Sequence, residues 1–122
     1  MTERVYRQDN LAVALERSRD TATLAWKGVS DNRYPGQFLN PIIDELVNEL
    51  QNLEVTIDLR ELEYMNSSTV TPLISLVKRL DVNSKLVRVL FLEVEWQRTH
   101  SNCMSAIART LKNVRIERLS SV

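Results

Sequence analysis

The chain is 122 residues long, with 43% hydrophobic and 26% charged residues, and its sixteen basic side chains balance sixteen acidic ones. That is the size and make-up of one ordinary domain with a real core, and the cancelled charge supplies no global field for nucleic acid. No apolar run approaches the roughly 18 residues of a membrane span, the first ten residues hold no apolar signal core, and the lone Cys103 excludes an internal disulfide, so a cytoplasmic location is expected.

Leu11 to Ser18 reads as a first strand, Arg19 and Asp20 as a turn, and Thr21 to Gly28 as a second strand with Ala22, Leu24 and Trp26 on one face. The close spacing predicts an antiparallel hairpin. Val29 to Gly36 is rich in turn-forming residues and reads as a loop. A helix is expected from about Phe38 to Gln51, burying Leu39, Ile42, Ile43, Leu46, Val47 and Leu50; either Asn40 caps it with Pro41 at the first helical position, or it starts at Phe38 and Pro41 lies early enough to cost little.

The central stretch begins as a strand, with Leu53, Val55, Ile57 and Leu59 on alternate positions. It ends as a helix, with Val70, Leu73, Ile74, Val77 and Leu80 at helical spacing. Between them lie Asn66, Ser67, Ser68 and Thr69. A strand feeding a helix puts these side chains at the carboxyl edge of a sheet, beside backbone N–H groups that favour negative charge. Residues of this kind are also the favoured helix caps. Pro72 is tolerated in a first turn, which predicts a regular helix starting at about Thr69 to Thr71 and an accessible loop carrying Ser67.

Asp81 to Lys85 reads as a loop, and Leu86 to Leu92 as a parallel strand covered on both faces. Glu93 to Leu111 reads as mostly helical, with Ser101 or Asn102 capping a segment that turns Met104, Ile107, Ala108 and Leu111 inward. Val114 to Leu119 alternates as a last, edge strand. The order β-β-α-β-α-β-α-β predicts right-handed crossovers and a sheet that is parallel in its middle.

Chemistry-bearing constellations are sparse. His100 and Cys103 lie three apart, but no second His or Cys completes a zinc set. Asp58, Glu61 and Glu63 are strand-end and turn carboxylates without a visible partner set. Gly28 and Gly36 are the only glycines, so there is no phosphate cradle. No catalytic residue, metal site or cofactor is expected.

The segment Ile57 to Thr69 resembles the signature of STAS domains, the anti-sigma factor antagonists. That signature is a hydrophobic strand ending in Asp-Leu, a short turn, an aromatic and an aliphatic residue, then Asp-Ser-Ser-Gly or Asp-Ser-Thr-Gly opening a helix. The spacing matches without a gap. Asn66 stands where the family usually has Asp, and Thr69 where it usually has Gly. An Asn followed by hydroxyl residues also resembles SiaC-like proteins, a divergent branch tied to biofilm signalling. The resemblance implies an α/β fold, a single STAS-like domain over residues 1–122. Its mixed central sheet would have about five strands, with helices mainly on one face. It places Ser67 where a partner kinase phosphorylates. It implies a non-enzymatic partner-switching protein that binds a serine kinase/anti-sigma factor, or another effector, while Ser67 is unphosphorylated. A PP2C-type phosphatase would restore binding. The alternatives are a scaffold or oligomeric sensory-complex subunit without phosphorylation, and an activator of a diguanylate cyclase as in SiaC-like proteins. Asn66, Ser68 and Thr69 would contribute to the docking surface and Lys78 would border it. Neither nucleic acid nor membrane is expected as a partner, and a homodimer is compatible with the pattern.

Overall fold

The computed structural model describes residues 2–120. Seven strands and three helices follow in the order β1 (Thr2–Gln8), β2 (Leu11–Arg17), β3 (Thr21–Ser30), α1 (Pro35–Glu49), β4 (Glu54–Asp58), β5 (Leu62–Met65), α2 (Ser67–Asn83), β6 (Leu86–Leu92), α3 (Glu95–Ala108) and β7 (Val114–Leu119). They form one mixed sheet in the order β1-β2-β3-β4-β6-β7, with β5 paired to β3. β1, β2 and β3 run antiparallel, and every later pairing is parallel. The predicted hairpin is β2–β3, with Leu15 opposite Leu24 and Val13 opposite Trp26. β7 ends the sheet, as expected of an edge strand.

The sheet has seven strands, not about five. One addition is β1, a charged edge strand whose sequence carries no apolar alternation. It is held by its ladder to β2 and by Arg4, which donates to Glu45 at 2.7 Å and Glu49 at 2.9 Å on α1. The other is β5, which takes over the edge of β3 where β4 leaves it. β4 pairs with Thr21 to Ala25, and β5 pairs with Gly28 to Ser30. The break between β4 and β5 is fixed from both sides. Asp58 accepts from the backbone and guanidinium of Arg60 at 2.8–3.0 Å. The buried Gln97 amide donates to the carbonyls of Leu59 and Leu62 and accepts from the N–H of Leu92.

One core results. It takes Leu11, Val13 and Leu15 from β2, Leu24 and Trp26 from β3, Val55 and Ile57 from β4, and Val87, Val89 and Phe91 from β6, all alternate positions on one sheet face. α1, α2 and α3 bury their apolar sides in that same cluster, so the helices lie on one face. The expectation that β6 is covered on both faces is corrected by this layering. Arg88 of β6 looks out from the other face, half-buried, and Leu90 is buried but lies outside the core cluster.

The helix starts also differ from expectation. α1 begins three residues earlier, with Pro35 in the first turn, so Asn40 is not its cap and Pro41 lies in its interior. Pro41 and Gln37 are exposed, so the Gln37 carbonyl, deprived of its helical donor, belongs to a solvent-exposed stretch of α1. α3 begins at Glu95 after Val94, and Ser101 is buried within it rather than capping it. No helix among the described residues is long and apolar enough to cross a membrane.

Candidate functional site

The site is the turn joining β5 to α2, at the carboxyl edge of the parallel strands. β5 delivers the backbone there by pairing with β3, and the N–H of Asn66 donates to the Ser30 carbonyl at 2.9 Å. Asn66, in extended conformation, is the residue before the helix. Its Oδ1 accepts from the Thr69 N–H at 3.0 Å and from the Thr69 hydroxyl at 2.7 Å. This satisfies one of the donors left over at a helix start. The other side of the amide is also used, since Nδ2 donates to the Asn32 carbonyl at 2.9 Å. A carboxylate could hold the Thr69 N–H but could not donate to Asn32. The amide at residue 66 therefore ties the β3–α1 loop to the start of α2.

Helix α2 begins at Ser67, not at Thr69 to Thr71, which leaves Pro72 inside it. Asn66 starts the helix early because it is well bonded on both sides. Pro72 is buried, and its ring fills core space while the Ser68 carbonyl loses a helical donor. The three hydroxyl residues then separate by helical geometry. Ser67 and Ser68 point outward and are exposed. Thr69 is 0% exposed, and its hydroxyl lies 2.7 Å from that of Ser30. Thr69 was expected on the docking surface. That expectation is corrected: its side chain faces inward and acts as a buried bracket between α2 and β3. It has a normal helical backbone, since no residue from 66 to 69 has positive φ, so a glycine is not needed here.

Lys78 is exposed on α2. At 100° per residue it falls on the same side of the helix as Ser67, Thr71 and Ile74. Val82, 75% exposed, extends that stripe to the end of the helix. Arg79 is turned aside and bonds Asp44 of α1 at 2.6 Å. Two exposed tyrosines lie close in sequence to residues of the turn or of the loop bonded to it. Tyr34, 60% exposed, is two residues from Asn32, and Tyr64, 47% exposed, is two residues before Asn66. The Tyr64 ring lies 6.1 Å from that of Trp96, which in turn meets His100 edge-on at 6.1 Å. Cys103, expected on the same helical side as His100, is exposed. The cavity beside Ser30 and Asn32 holds about 10 Å³, room for one water. The turn is thus displayed on a surface rather than lodged in a cleft.

Sequence reading identified Ser67 and its exposed neighbours but not Ser30, Asn32 and Tyr34, which reach the site through the β3–α1 loop. No local signal marks them, because their link to Asn66 spans more than thirty residues. Val82 was hidden because the helix was expected to end at Leu80.

No family model matches the sequence, and no curated protein matches it. Solved structures do match in fold. One is the crystal structure of the diguanylate cyclase SiaD in complex with its activator SiaC from Pseudomonas aeruginosa. There the match is at 12% identity over 93% of this chain and 98% of that one, with a TM-score of 0.61. Another is the anti-sigma factor antagonist SpoIIAA in its unphosphorylated form, at 13% identity over 84% and 86%, with a TM-score of 0.49. The likeness to the SiaD–SiaC structure shows the fold alone, here a mixed α/β domain with one helix-covered face, a break between β4 and β5 and a serine-bearing turn opening α2.

Proposed function

We propose that the protein is a non-enzymatic regulator that docks a protein partner through the Ser67 turn and the outer stripe of α2, and that phosphorylation of Ser67 releases it. The observation that carries this reading is the sorting of three adjacent hydroxyl residues. Ser67 and Ser68 are offered to solvent, while Thr69 is sealed and bonded. Helix capping alone needs only Asn66.

The physics favours a docking switch over a conformational one. A phosphate on Ser67 adds about −1.5 to −2 charges at the first position of α2. There the helix dipole stabilises negative charge by roughly 0.3–1 kcal/mol, so the fold is kept. At an interface, a misplaced charge costs several kcal/mol. Ser67 and Ser68 would be read directly, with Lys78 and Val82 extending the contact along α2. Asn66 would contribute by setting the turn. Tyr34 and Tyr64 supply the exposed aromatic area that dominates many interfaces.

The partner class follows in two forms. One is a serine kinase that also acts as an anti-sigma factor, opposed by a PP2C-type phosphatase. The other is a diguanylate cyclase, a reading aided by the likeness in fold to SiaC, which was crystallised with the cyclase it activates.

The test combines phosphorylation with binding. The chain is incubated with ATP and candidate kinases encoded beside it, and the modified residue is located by mass spectrometry. Binding of the cognate partner is then measured for the native chain, Ser67→Ala, Ser67→Asp and Val82→Asp. Phosphate on Ser67, with binding kept by Ser67→Ala and lost by Ser67→Asp and Val82→Asp at unchanged circular dichroism, supports the proposal. Equal binding by all four proteins defeats it.

A further inference from the structure

A second site lies at the carboxyl ends of β6 and β7, away from the Ser67 turn. It is a cavity of about 310 Å³ lined by Leu92, Glu93, Arg98, Ser101, Asn102 and Arg118. Its distinguishing feature is how Arg118 is held. Among the described residues Arg4, Arg60, Arg79 and Arg88 pair with carboxylates, most other arginine side chains make no hydrogen bond at all, and Arg118 alone is held in place without a carboxylate. Arg118 instead donates only to neutral groups: from Nε to the Ser101 hydroxyl at 3.0 Å, and from one terminal nitrogen to Asn102 Oδ1 at 3.0 Å and the Ser105 hydroxyl at 3.1 Å. Among the described residues no carboxylate lies within ion-pair distance of it.

These contacts orient the guanidinium without neutralising it. Ser101 is buried and its hydroxyl donates to the Arg98 carbonyl at 3.0 Å, so its oxygen is fixed as an acceptor for Arg118. Asn102 accepts through Oδ1, which leaves its NH₂ as a donor. The second terminal nitrogen of Arg118 makes no hydrogen bond among the described residues. Arg98, also lining the cavity, likewise has no carboxylate partner among them. The wall therefore offers two guanidinium groups and an amide NH₂, all donors. Glu93 is its one carboxylate and pairs with neither arginine among the described residues.

We propose that this cavity binds a small phosphate monoester that carries hydroxyl groups. The second terminal nitrogen of Arg118 and the guanidinium of Arg98, both unpaired among the described residues, supply charge-assisted donors for the oxygens of a dianionic phosphate, which carries more acceptor oxygens than a single carboxylate. A cavity of this size sits at the lower end of small-molecule sites and takes a sugar phosphate rather than a protein surface. Glu93, which would repel a bare anion, accepts hydrogen bonds from the hydroxyls attached to the phosphate. The arrangement thereby selects a hydroxylated ester over inorganic phosphate.

The test titrates the ¹⁵N-labelled full chain at constant ionic strength with ribose 5-phosphate, inorganic phosphate and ribose. Saturable shifts confined to the amides of residues 98–102 and 118 are expected with ribose 5-phosphate. Inorganic phosphate binds about tenfold more weakly, the effect of one charge-assisted hydrogen bond, and ribose gives none. Arg118→Gln weakens ribose 5-phosphate at least about tenfold by the same measure. Arg98→Gln does the same, should the first variant disturb β7. Glu93→Gln erases the preference for the ester, because inorganic phosphate gains and the hydroxyls lose their acceptor. Linear, unsaturated shifts mean an adventitious ion only and overturn the proposal. So does an unchanged affinity in folded Arg118→Gln and Arg98→Gln.

Discussion

Gly28 sits at φ 92°, where β3 passes its pairing from β4 to β5. A Cβ there would lie 2.0 Å from the Asn10 carbonyl oxygen, a backbone atom that cannot swing away. Gly28→Ala is therefore strained in φ and blocked in space. It should lose at least about 2 kcal/mol of stability in urea unfolding. A loss below about 0.5 kcal/mol would mean that the register shift between Gly28 and Val29 does not depend on this residue. Asn66 makes the second residue-scale argument. Asn66→Ala removes the cap of α2, the bond to the Thr69 hydroxyl and the bond to Asn32 together. The expected cost is about 2 kcal/mol, above the ~1 kcal/mol of an ordinary capping residue. A cost near the ordinary value would show that the bridge to the β3–α1 loop contributes nothing. Ser67 as an exposed hydroxyl was legible from the sequence, because a strand-to-helix turn displays what lies in it. The inward turn of Thr69 was not. It depends on whether α2 starts at residue 67 or two residues later, and the bonds of Asn66 decide that.

At the scale of elements, periodicity carried the reading and proline misled it. β2, β3, β4, β6 and β7 all emerge from alternating or continuous apolar runs, because each has a face in the core. β5 is four residues long and β1 is polar apart from Val5 and Tyr6, and neither length nor composition marks such segments as strands. Both are paired by position rather than by pattern. Pro41 and Pro72 read as helix boundaries, yet both lie inside helices. Tertiary packing of the apolar stripe outweighs the missing hydrogen bond in each case. The two differ in a measurable way. Pro72 is buried, so its ring is needed for packing, whereas Pro41 is exposed. Pro41→Ala should stabilise the protein by about 1–2 kcal/mol. An interior proline costs roughly 3 kcal/mol, and the stiffening of the unfolded chain by proline returns part of that. Pro72→Ala should give no such gain, because the restored bond to Ser68 is offset by the emptied volume. Denaturation midpoints of the two variants decide it, and equal gains in both would contradict the argument.

The whole molecule is a sheet with one covered face, and the order of its strands was legible only in part. Alternation of strands and helices predicts the parallel centre, but nothing local shows that β4 and β5 share one edge of β3. The open face has consequences for pH. Adjacent strands place Asp58, Leu90 and Glu117 in one row across it, and Thr56, Arg88 and Arg115 in the next. Burial alone would push the Asp58 carboxyl up, but the side-chain and backbone hydrogen bonds from Arg60 outweigh it and hold the group below its ordinary value of 3.8. The guanidinium of Arg88, bonded to Glu117 at 2.6 and 3.0 Å, holds that carboxyl below its ordinary 4.5. In both cases the unfolded chain binds protons more readily than the folded one. The stabilisation is therefore complete above the unfolded values and is lost as pH falls through the depressed ones. Thermal midpoints should be flat on account of these groups from pH 7 to about 5.5, and should fall below about pH 4.5. In Asp58→Asn/Glu117→Gln the acid limb should be shallower and the midpoint at pH 7 lower. The Glu117 share should shrink in 1 M salt, because that pair is open enough to solvent to be screened, while the more covered Asp58 share should persist. An acid limb as steep in the double variant as in the native chain would place the acid sensitivity elsewhere than on the open face.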